Sequence, residues 1–418
     1  MSERTLEDLR LKQALPLNVK ISLTRERIRQ WIHEYGEDGV YVSFSGGKDS
    51  TVLLDIVRNV CGYTDVPAVF VDVPTQYPEL RDFVKTYDNV EILKPKISFM
   101  EVCQKYGFPL ISKEVSGAVS KARKYLKKCL TNHQNDVTTA TDRQTDRQTD
   151  RQTDRLIFRS AYAIADLLGI ERRKPNSRNE SAYQSLLMGI IPDEFLAKAP
   201  VRLQMLFGKV IHKEKGVATN EYSAMYDKSR YNFFLDADFE ISDACCRVMK
   251  KTPLHKYAKE TGRHPMTAQM ADESRLRQSQ WIRHGCNAFD SNHPISNPMS
   301  FWTEQDVLTY IVKNNIQLCS VYGDVVEDFG NQLDGQMNLG DFGFYEKEKK
   351  YKCTGCKRTG CMLCGFGCHN EKSPNRFELL KQTHPGMYKL LDVVKNNGVT
   401  MREAIEWTNE HGNLNIKL

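Results

Sequence analysis

The sequence predicts an α/β fold in which a doubly wound parallel sheet carries helices on both faces. Three apolar runs of strand length, Val40–Phe44, Ala68–Val73 and Val90–Leu93, alternate with stretches whose apolar residues have helical spacing. Such alternation is typical of βαβ units, in which helical crossovers join parallel strands. We expect this sheet to be accompanied by a helical insertion and a cysteine-rich C-terminal segment.

Further elements follow from local signals. Helices are predicted at Thr51–Val60 and Tyr77–Thr86, and the second begins with a proline, whose missing N–H is tolerated in a first helical turn. Another strand is predicted at Pro265–Met270. Thr303 has the side chain of an N-cap and is followed by two acidic residues, which favours a helix start there.

These elements divide the chain into four predicted regions. They are the first part of the α/β domain (1–120), a helical insertion (121–235), the second part of the α/β domain (236–345), and a cysteine-rich, metal-binding segment with a helical cap (346–418). Within the insertion, residues 141–155 repeat Thr-Asp-Arg-Gln. A polar repeat without apolar periodicity cannot pack, so we interpret it as an exposed or disordered linker.

Composition restricts the class of protein. The chain has 418 residues, a net charge of +6 and no apolar run of membrane-spanning length, and its first twenty residues are too charged for a secretory signal. We therefore expect a cytoplasmic protein without a membrane partner. The twelve cysteines favour metal or redox chemistry over disulfides, because five of them fall between Cys353 and Cys368.

The most informative motif is Ser45-Gly46-Gly47-Lys48-Asp49-Ser50, between the first strand and the next helix. Paired glycines let the backbone approach an anion, the helix N-terminus adds partial positive charge, and Lys48 adds a full charge. We expect Lys48 to project into a solvated cleft. The Walker pattern requires four residues between its first glycine and the Gly-Lys pair, and here there are none, so this is not a kinase or GTPase loop.

Several motifs in order resemble the phosphoadenosine phosphosulfate (PAPS) reductase family. The six-residue loop is similar to the pyrophosphate (PP) loop of the adenine nucleotide alpha-hydrolase-like superfamily. The other motifs are Asp72-Val73-Pro74-Thr75-Gln76-Tyr77-Pro78-Glu79, the Cys245-Cys246 block that ends in Lys251-Thr252-Pro253-Leu254, Glu273-Ser274-x-x-Arg277, and Trp302-Thr303-x-x-Asp306.

The resemblance implies roles for individual residues. Ser45 to Ser50 would bind the phosphates of ATP or a related adenine nucleotide, Asp72 would lie near that nucleotide, and Arg277 would approach the anionic end of the substrate. Lys48 would stabilise charge on pyrophosphate, and Asp49 would help to hold Mg²⁺.

The cysteines resemble the 4Fe–4S site of adenylyl-sulfate reductases. That likeness maps onto Cys245, Cys246, Cys361 and Cys364, and thiolates suit iron. The alternates Cys353, Cys356 and Cys368 crowd the same region, and two Cys-x-x-Cys pairs in this segment could instead bind zinc. The isolated Cys61, Cys103, Cys129, Cys286 and Cys319 are interpreted as buried free thiols.

Three functions remain open. The intact loop favours an ATP pyrophosphatase that supports sulfur transfer, with a nucleic acid as acceptor and a separate protein as sulfur donor. The basic helical stretch Lys121, Arg123, Lys124, Lys127 and Lys128 is either a solvated face or a track for that nucleic acid. A sulfonucleotide reductase is the alternative, although no cysteine follows Cys368 to act as the family's C-terminal nucleophile. The third is a non-catalytic regulator that binds a nucleotide and a cluster.

Overall fold

The computed structural model describes residues 4–138, 199–208, 227–329 and 349–418, with side chains to residue 127 in the first range. The repeat at 141–155 and most of the predicted insertion lie outside these residues. The described residues form two compact units, one of Met1–Lys96 and Lys250–Cys361, the other of Ile97–Met249 and Met362–Leu418. The four predicted regions remain a prediction.

The strands of the described residues are numbered in chain order. They are β1 (Val40–Ser43), β2 (Ala68–Val71), β3 (Val90–Leu93), β4 (Leu110–Ile111), β5 (His264–Met266), β6 (Asn287–Ala288), β7 (Ile295–Ser296), β8 (Val325–Glu327), β9 (Tyr351–Cys353), β10 (Gly365–Phe366), β11 (Lys395–Asn396) and β12 (Val399–Thr400).

A six-stranded sheet organises the first unit, in the order β3-β2-β1-β5-β7-β6. The strands β3, β2, β1, β5 and β7 run parallel, and β6 pairs antiparallel with β7 at the edge. The chain moves from β1 to β2 on one side and later adds β5 on the other. The strand order therefore reverses at β1 and β5, the position at which open α/β sheets bind ligands.

Helices of the first unit cover this sheet. They are Leu6–Gln13, Leu17–Tyr35, Lys48–Asp55, Pro78–Val84, Thr252–Thr261, Arg275–His284 and Glu304–Lys313. Strand residues alternate between faces, and both faces are buried. Val42 and Phe70 join a large cluster with Trp31 and Trp302, while Tyr41 and Val69 pack with Tyr257. The predicted doubly wound α/β fold is confirmed.

The boundaries differ in one informative place. The strand predicted at Pro265–Met270 is only β5, and a short 3₁₀ helix, Ala271–Glu273, follows. Pro265 has no N–H to donate to a ladder, and β5 pairs with β7 at Met266 alone. The predicted N-cap is correct, because the Thr303 side chain accepts a hydrogen bond from the backbone N–H of Asp306.

The second unit is mainly helical. Its described helices are Phe99–Tyr106, Lys113–Thr138, Val201–Leu206, Ala244–Cys246, Arg376–Thr383, Pro385–Tyr388 and Met401–Gly412. Two short parallel strands, β4 and β10, join the N-terminal and C-terminal portions of this unit. Within the described residues, no helix has the length and apolar character to cross a bilayer.

Arg123 corrects the expectation of a uniform basic face on the helix Lys113–Thr138. Its side chain is buried, and Nη1 donates to the carbonyl oxygens of Phe239 at 2.7 Å and Phe234 at 3.3 Å. A buried guanidinium with backbone partners stabilises the unit and is not available to a nucleic acid. Lys121 and Lys124 are exposed, as expected for a solvated face.

Candidate nucleotide-binding site

The predicted phosphate loop lies at the carboxyl end of β1 and leads directly into the helix Lys48–Asp55. Gly46 has a φ of 70°, in the left-handed region that favours glycine. A Cβ at Gly46 would lie 3.0 Å from Cγ2 of Val84 and 3.2 Å from Cδ2 of Leu80. Both the turn and the close approach therefore require glycine at this position.

The two serines hold the shape of the loop. Oγ of Ser50 donates to the Gly47 carbonyl oxygen at 2.9 Å and accepts from the Ser45 N–H at 3.2 Å. Oγ of Ser45 lies 3.0 Å from Oγ of Ser50 and accepts from the Gly47 N–H at 3.3 Å. These hydroxyls therefore close a small ring within the loop, which is a positioning role.

Lys48 is buried, in contrast to the expectation of a solvated cleft. Its Nζ lies 3.1 Å from Oε1 of Glu304 and 3.7 Å from Oδ1 of Asp49, and it donates to the Lys357 carbonyl oxygen at 3.2 Å. Desolvation lowers the pKa of Lys48, but the nearby carboxylates of Asp49 and Glu304 and the hydroxyl group of Tyr322 outweigh it, so the pKa lies above its usual value. The ammonium therefore stays charged.

The carboxyl group of Asp49 is subject to opposing electrostatic effects. Burial raises the pKa of its carboxyl group and the nearby Glu304 adds to the shift, whereas Lys48, Arg358 and Arg277 oppose it. Its Oδ1 is buried and accepts no hydrogen bond. A buried carboxylate oxygen without a donor is a ligand that Mg²⁺ would satisfy, so the residue fits its predicted role.

Arg277 lies in the same part of the first unit, near the N-terminus of the helix Arg275–His284. It forms an ion pair with Glu273 and lies within electrostatic range of Asp49. Burial lowers the pKa of its guanidinium, as does the like charge of Arg358. Arg277 and Arg358 therefore both lie within electrostatic range of Asp49 in the loop.

Asp72 follows β2 at the same edge of the sheet, but its partner is a protein side chain. Its Oδ1 accepts a hydrogen bond from Nε of Arg81 at 2.8 Å, so the pair is internal to the segment after β2. Nearby, Gln76 forms an antiparallel bridge with Cys361. The described structure therefore gives Asp72 a structural contact, and its predicted nucleotide contact stays a prediction.

Sequence reasoning missed the residues that pack onto the loop from distant segments. The hydroxyl of Tyr322 accepts from the Lys48 backbone N–H at 3.1 Å and lies 2.9 Å from Oγ1 of Thr359. The sequence predicts Glu304 only as an acidic residue in the first turn of a helix, and not as a partner of Lys48. No local pattern marks a side chain as a partner of a loop more than 250 residues away.

The predicted cluster cysteines are divided between the two units. Cys361 belongs to the first unit with Cys353 and Cys356, whereas Cys245, Cys246 and Cys364 belong to the second. In the first unit, Sγ of Cys356 donates to Oη of Tyr77 at 3.5 Å. The pKa of Cys353 is raised by burial, and the nearby Lys48 charge opposes the shift.

In the second unit, several cysteines lie near one another in a combination that their spacing in the sequence does not predict. Cys103, interpreted above as isolated, lies within electrostatic range of Cys364. Cys368 donates through Sγ to the Cys364 carbonyl oxygen at 3.4 Å. The helix Ala244–Cys246 packs against the helix that carries Cys103. Among the described residues, however, no three Cys, His, Asp or Glu side chains are placed to hold one metal ion.

Taken together, the sheet and the loop define a class of protein, a doubly wound α/β protein whose glycine loop Ser45–Ser50 lies at the switch point of the sheet. The chain belongs to the phosphoadenosine phosphosulfate reductase family, whose domain model matches residues 39–165 and 194–365. The resemblance deduced from the motifs is thereby confirmed. A search of curated proteins found no match to the chain.

The family places this site in a chemical context. Its members are usually enzymes, and an adenine nucleotide is the substrate that the family suggests. The matched residues include the loop, Arg277 and the pairs Cys245/Cys246 and Cys361/Cys364. Cys368 and the C-terminal helices lie beyond the match.

Replacement of Gly46 by alanine should destabilise the first unit, because the new Cβ meets Leu80 and Val84 in a left-handed backbone. The conformational part costs about 1–2 kcal/mol and the overpacking about 1–3 kcal/mol. Gly262→Ala is the matched control, since Gly262 has a φ of 72° and no heavy atom within 4 Å of the new Cβ. Urea unfolding followed by circular dichroism measures both variants, and equal losses would show that the loop is not tightly packed.

Proposed function

We propose that the protein is a PP-loop enzyme that binds ATP, or a closely related adenine nucleotide, releases pyrophosphate and supports sulfur transfer to an acceptor. The observation that carries the proposal is the intact Ser45–Ser50 loop at the switch point of the sheet. The loop includes the charged Lys48, which pairs with Glu304. Within this family, a loop that retains all these residues is similar to those of the ATP-cleaving members.

The chemistry asked of the loop is electrostatic. When the bond between the α-phosphate and the β-phosphate breaks, negative charge grows on the departing pyrophosphate. Backbone N–H groups at the start of the helix at Lys48 and the ammonium of Lys48 would stabilise that charge. An acceptor oxygen would form the new bond to the α-phosphorus, which activates the acceptor for sulfur.

Magnesium fits the site through Asp49. Its buried Oδ1 accepts no hydrogen bond, and the Lys48 ammonium nearby also pairs with the Glu304 carboxylate. When bound, Mg²⁺ would neutralise part of the charge on the phosphates. The protein's own contribution is to orient Asp49 through its position at the start of the helix Lys48–Asp55.

The proposal includes an iron–sulfur cluster only as a metal content to be measured. The donor chemistry suits iron, since Cys103, Cys364 and Cys368 are thiols in one part of the second unit. Their described arrangement does not form a set of three metal ligands. We therefore assign no step of the reaction to a cluster.

The acceptor and the sulfur donor are the least constrained parts of the proposal. A nucleic acid acceptor is supported by the exposed Lys121 and Lys124 on the helix Lys113–Thr138. It is weakened by Arg123, which is buried, and by Lys127, whose Nζ lies 3.6 Å from Oε1 of Glu240. A separate protein as sulfur donor stays a prediction.

The second candidate is a sulfonucleotide reductase that uses Cys368 as its nucleophile. Burial raises the pKa of the Cys368 thiol well above its usual range, and the nearby Arg376 charge only partly opposes that shift. A nucleophilic cysteine requires a thiolate, which such burial disfavours. This argument supports the ATP-cleaving function over the reductase.

Replacement of Lys48 by methionine should weaken ATP binding about ten- to a hundred-fold, since a charge-assisted contact to phosphate contributes about 1.5–3 kcal/mol. Methionine keeps the apolar stem and removes the charge. Calorimetric titration with ATP and Mg²⁺ measures the dissociation constant.

Lys85→Ala is the control for this experiment, because Lys85 is an exposed lysine of the same unit. Its described ion pair is with Asp82, outside the loop. Its affinity for ATP should equal that of the unmodified protein. If Lys48→Met binds ATP equally well, with an unchanged circular dichroism spectrum, the loop does not hold the phosphates.

Protein purified without oxygen should contain about four iron and four sulfide ions per chain if one cubane is bound. Cys245→Ser and Cys364→Ser should each lose the brown colour, while Cys61→Ser, a half-buried thiol of the first unit, should keep it. Metal analysis that finds zinc and no iron, retained in Cys245→Ser, would instead favour the zinc alternative among Cys353, Cys356, Cys361 and Cys364.

A further inference from the structure

The turn Lys357–Thr359 lies against the phosphate loop, although it belongs to the cysteine-rich segment more than 300 residues away. The carbonyl oxygen of Lys357 accepts from Nζ of Lys48 at 3.2 Å. Oγ1 of Thr359 lies 2.9 Å from the Tyr322 hydroxyl that binds the Lys48 N–H. The residues on both sides of Arg358 are therefore fixed to the loop.

Gly47 is adapted to this contact. A Cβ at Gly47 would lie 3.2 Å from Oγ1 of Thr359 and 3.2 Å from Oη of Tyr322. Such distances are tighter than ordinary van der Waals contact, so the glycine leaves the room that the turn occupies. The close approach of the turn and the loop is thus built into the residue types of both.

Arg358 lies between these two contact residues. Its side chain is exposed, whereas Lys48, Asp49 and Arg277 are wholly or partly buried. It lies within electrostatic range of both Asp49 and Arg277. Lys48 pairs with Glu304 and Arg277 pairs with Glu273, whereas the guanidinium of Arg358 is exposed and can approach a bound anion.

We propose that Arg358 binds the phosphate chain of the nucleotide as a third cation beside Lys48 and Arg277, and that the cysteine segment thereby forms part of the nucleotide site. This inference rests on the proposed function. A site with three cations favours a polyphosphate, because a ligand with more negative charge is attracted more strongly to them. ATP and free pyrophosphate are therefore the expected ligands, and AMP is a poor one.

The turn also competes with the ligand. The Lys357 carbonyl oxygen uses one donor of the Lys48 ammonium, and the Tyr322 hydroxyl uses the Lys48 backbone N–H. A phosphate that takes these donors displaces neutral oxygen acceptors and brings a charged one. Since hydrogen bonds to charged acceptors are stronger, the exchange favours the phosphate.

The test compares Arg358→Ala, Arg358→Lys and Lys352→Ala by calorimetric titration with ATP, pyrophosphate and AMP. Lys352 is the matched control, an exposed cation on β9 whose Nζ pairs with Oδ1 of Asp328 at 2.9 Å. Arg358→Ala should weaken ATP and pyrophosphate binding about ten- to a hundred-fold and change AMP binding less than about three-fold. Arg358→Lys should recover part of the loss, and Lys352→Ala should bind like the unmodified protein.

The outcomes separate this inference from the proposed function. If the unmodified protein binds ATP and Arg358→Ala binds it equally well, Arg358 lies outside the site while the proposed function stands. An equal loss for ATP and AMP would mean that Arg358 acts on the fold and would also overturn the inference. If the unmodified protein binds neither ATP nor pyrophosphate, the proposed function itself is wrong.

Discussion

The buried ammonium of Lys48 is the interaction on which the candidate site depends. It binds the Glu304 carboxylate, approaches Asp49 and donates to the Lys357 carbonyl oxygen, so segments from three distant parts of the sequence meet at one charge. An isolated buried charge would be costly, and these partners make it tolerable. Because Lys48 also begins the helix after β1, the sheet places this charge at the switch point. Fold and site therefore share one constraint.

Those features that are encoded locally could be predicted from the sequence. The strands β1, β2 and β3, the glycine turn and the N-cap Thr303 each depend on residues within a few positions of one another. The family motif around Trp302 also contributes to the core, because the indole N–H of Trp302 donates to Oγ1 of the buried Thr24. Fold class and the position of the loop followed from such signals.

The remaining site residues could not be predicted because their roles arise from contacts between distant segments. Tyr322 lies in a stretch without a motif of its own. The proposed ligand residue Arg358 lies between cysteines whose spacing indicates only metal binding. Asp72 pairs with Arg81, a partner that no spacing rule identifies. The cysteines illustrate the same limit. Their spacing favours one set of four, which stays a prediction, and gives no sign that Cys103 lies within electrostatic range of Cys364. Local sequence identifies donor types, and the tertiary structure selects among them.

Product analysis tests the central claim, that this site cleaves ATP rather than reducing a sulfonucleotide. The protein would be incubated without oxygen, once with ATP, Mg²⁺, a sulfide source and total cellular RNA and DNA, and once with PAPS and a dithiol reductant. Pyrophosphate from ATP and sulfite from PAPS would then be measured. The account predicts pyrophosphate release that Lys48→Met abolishes, and no sulfite. Sulfite release from PAPS, or neither product, would contradict it.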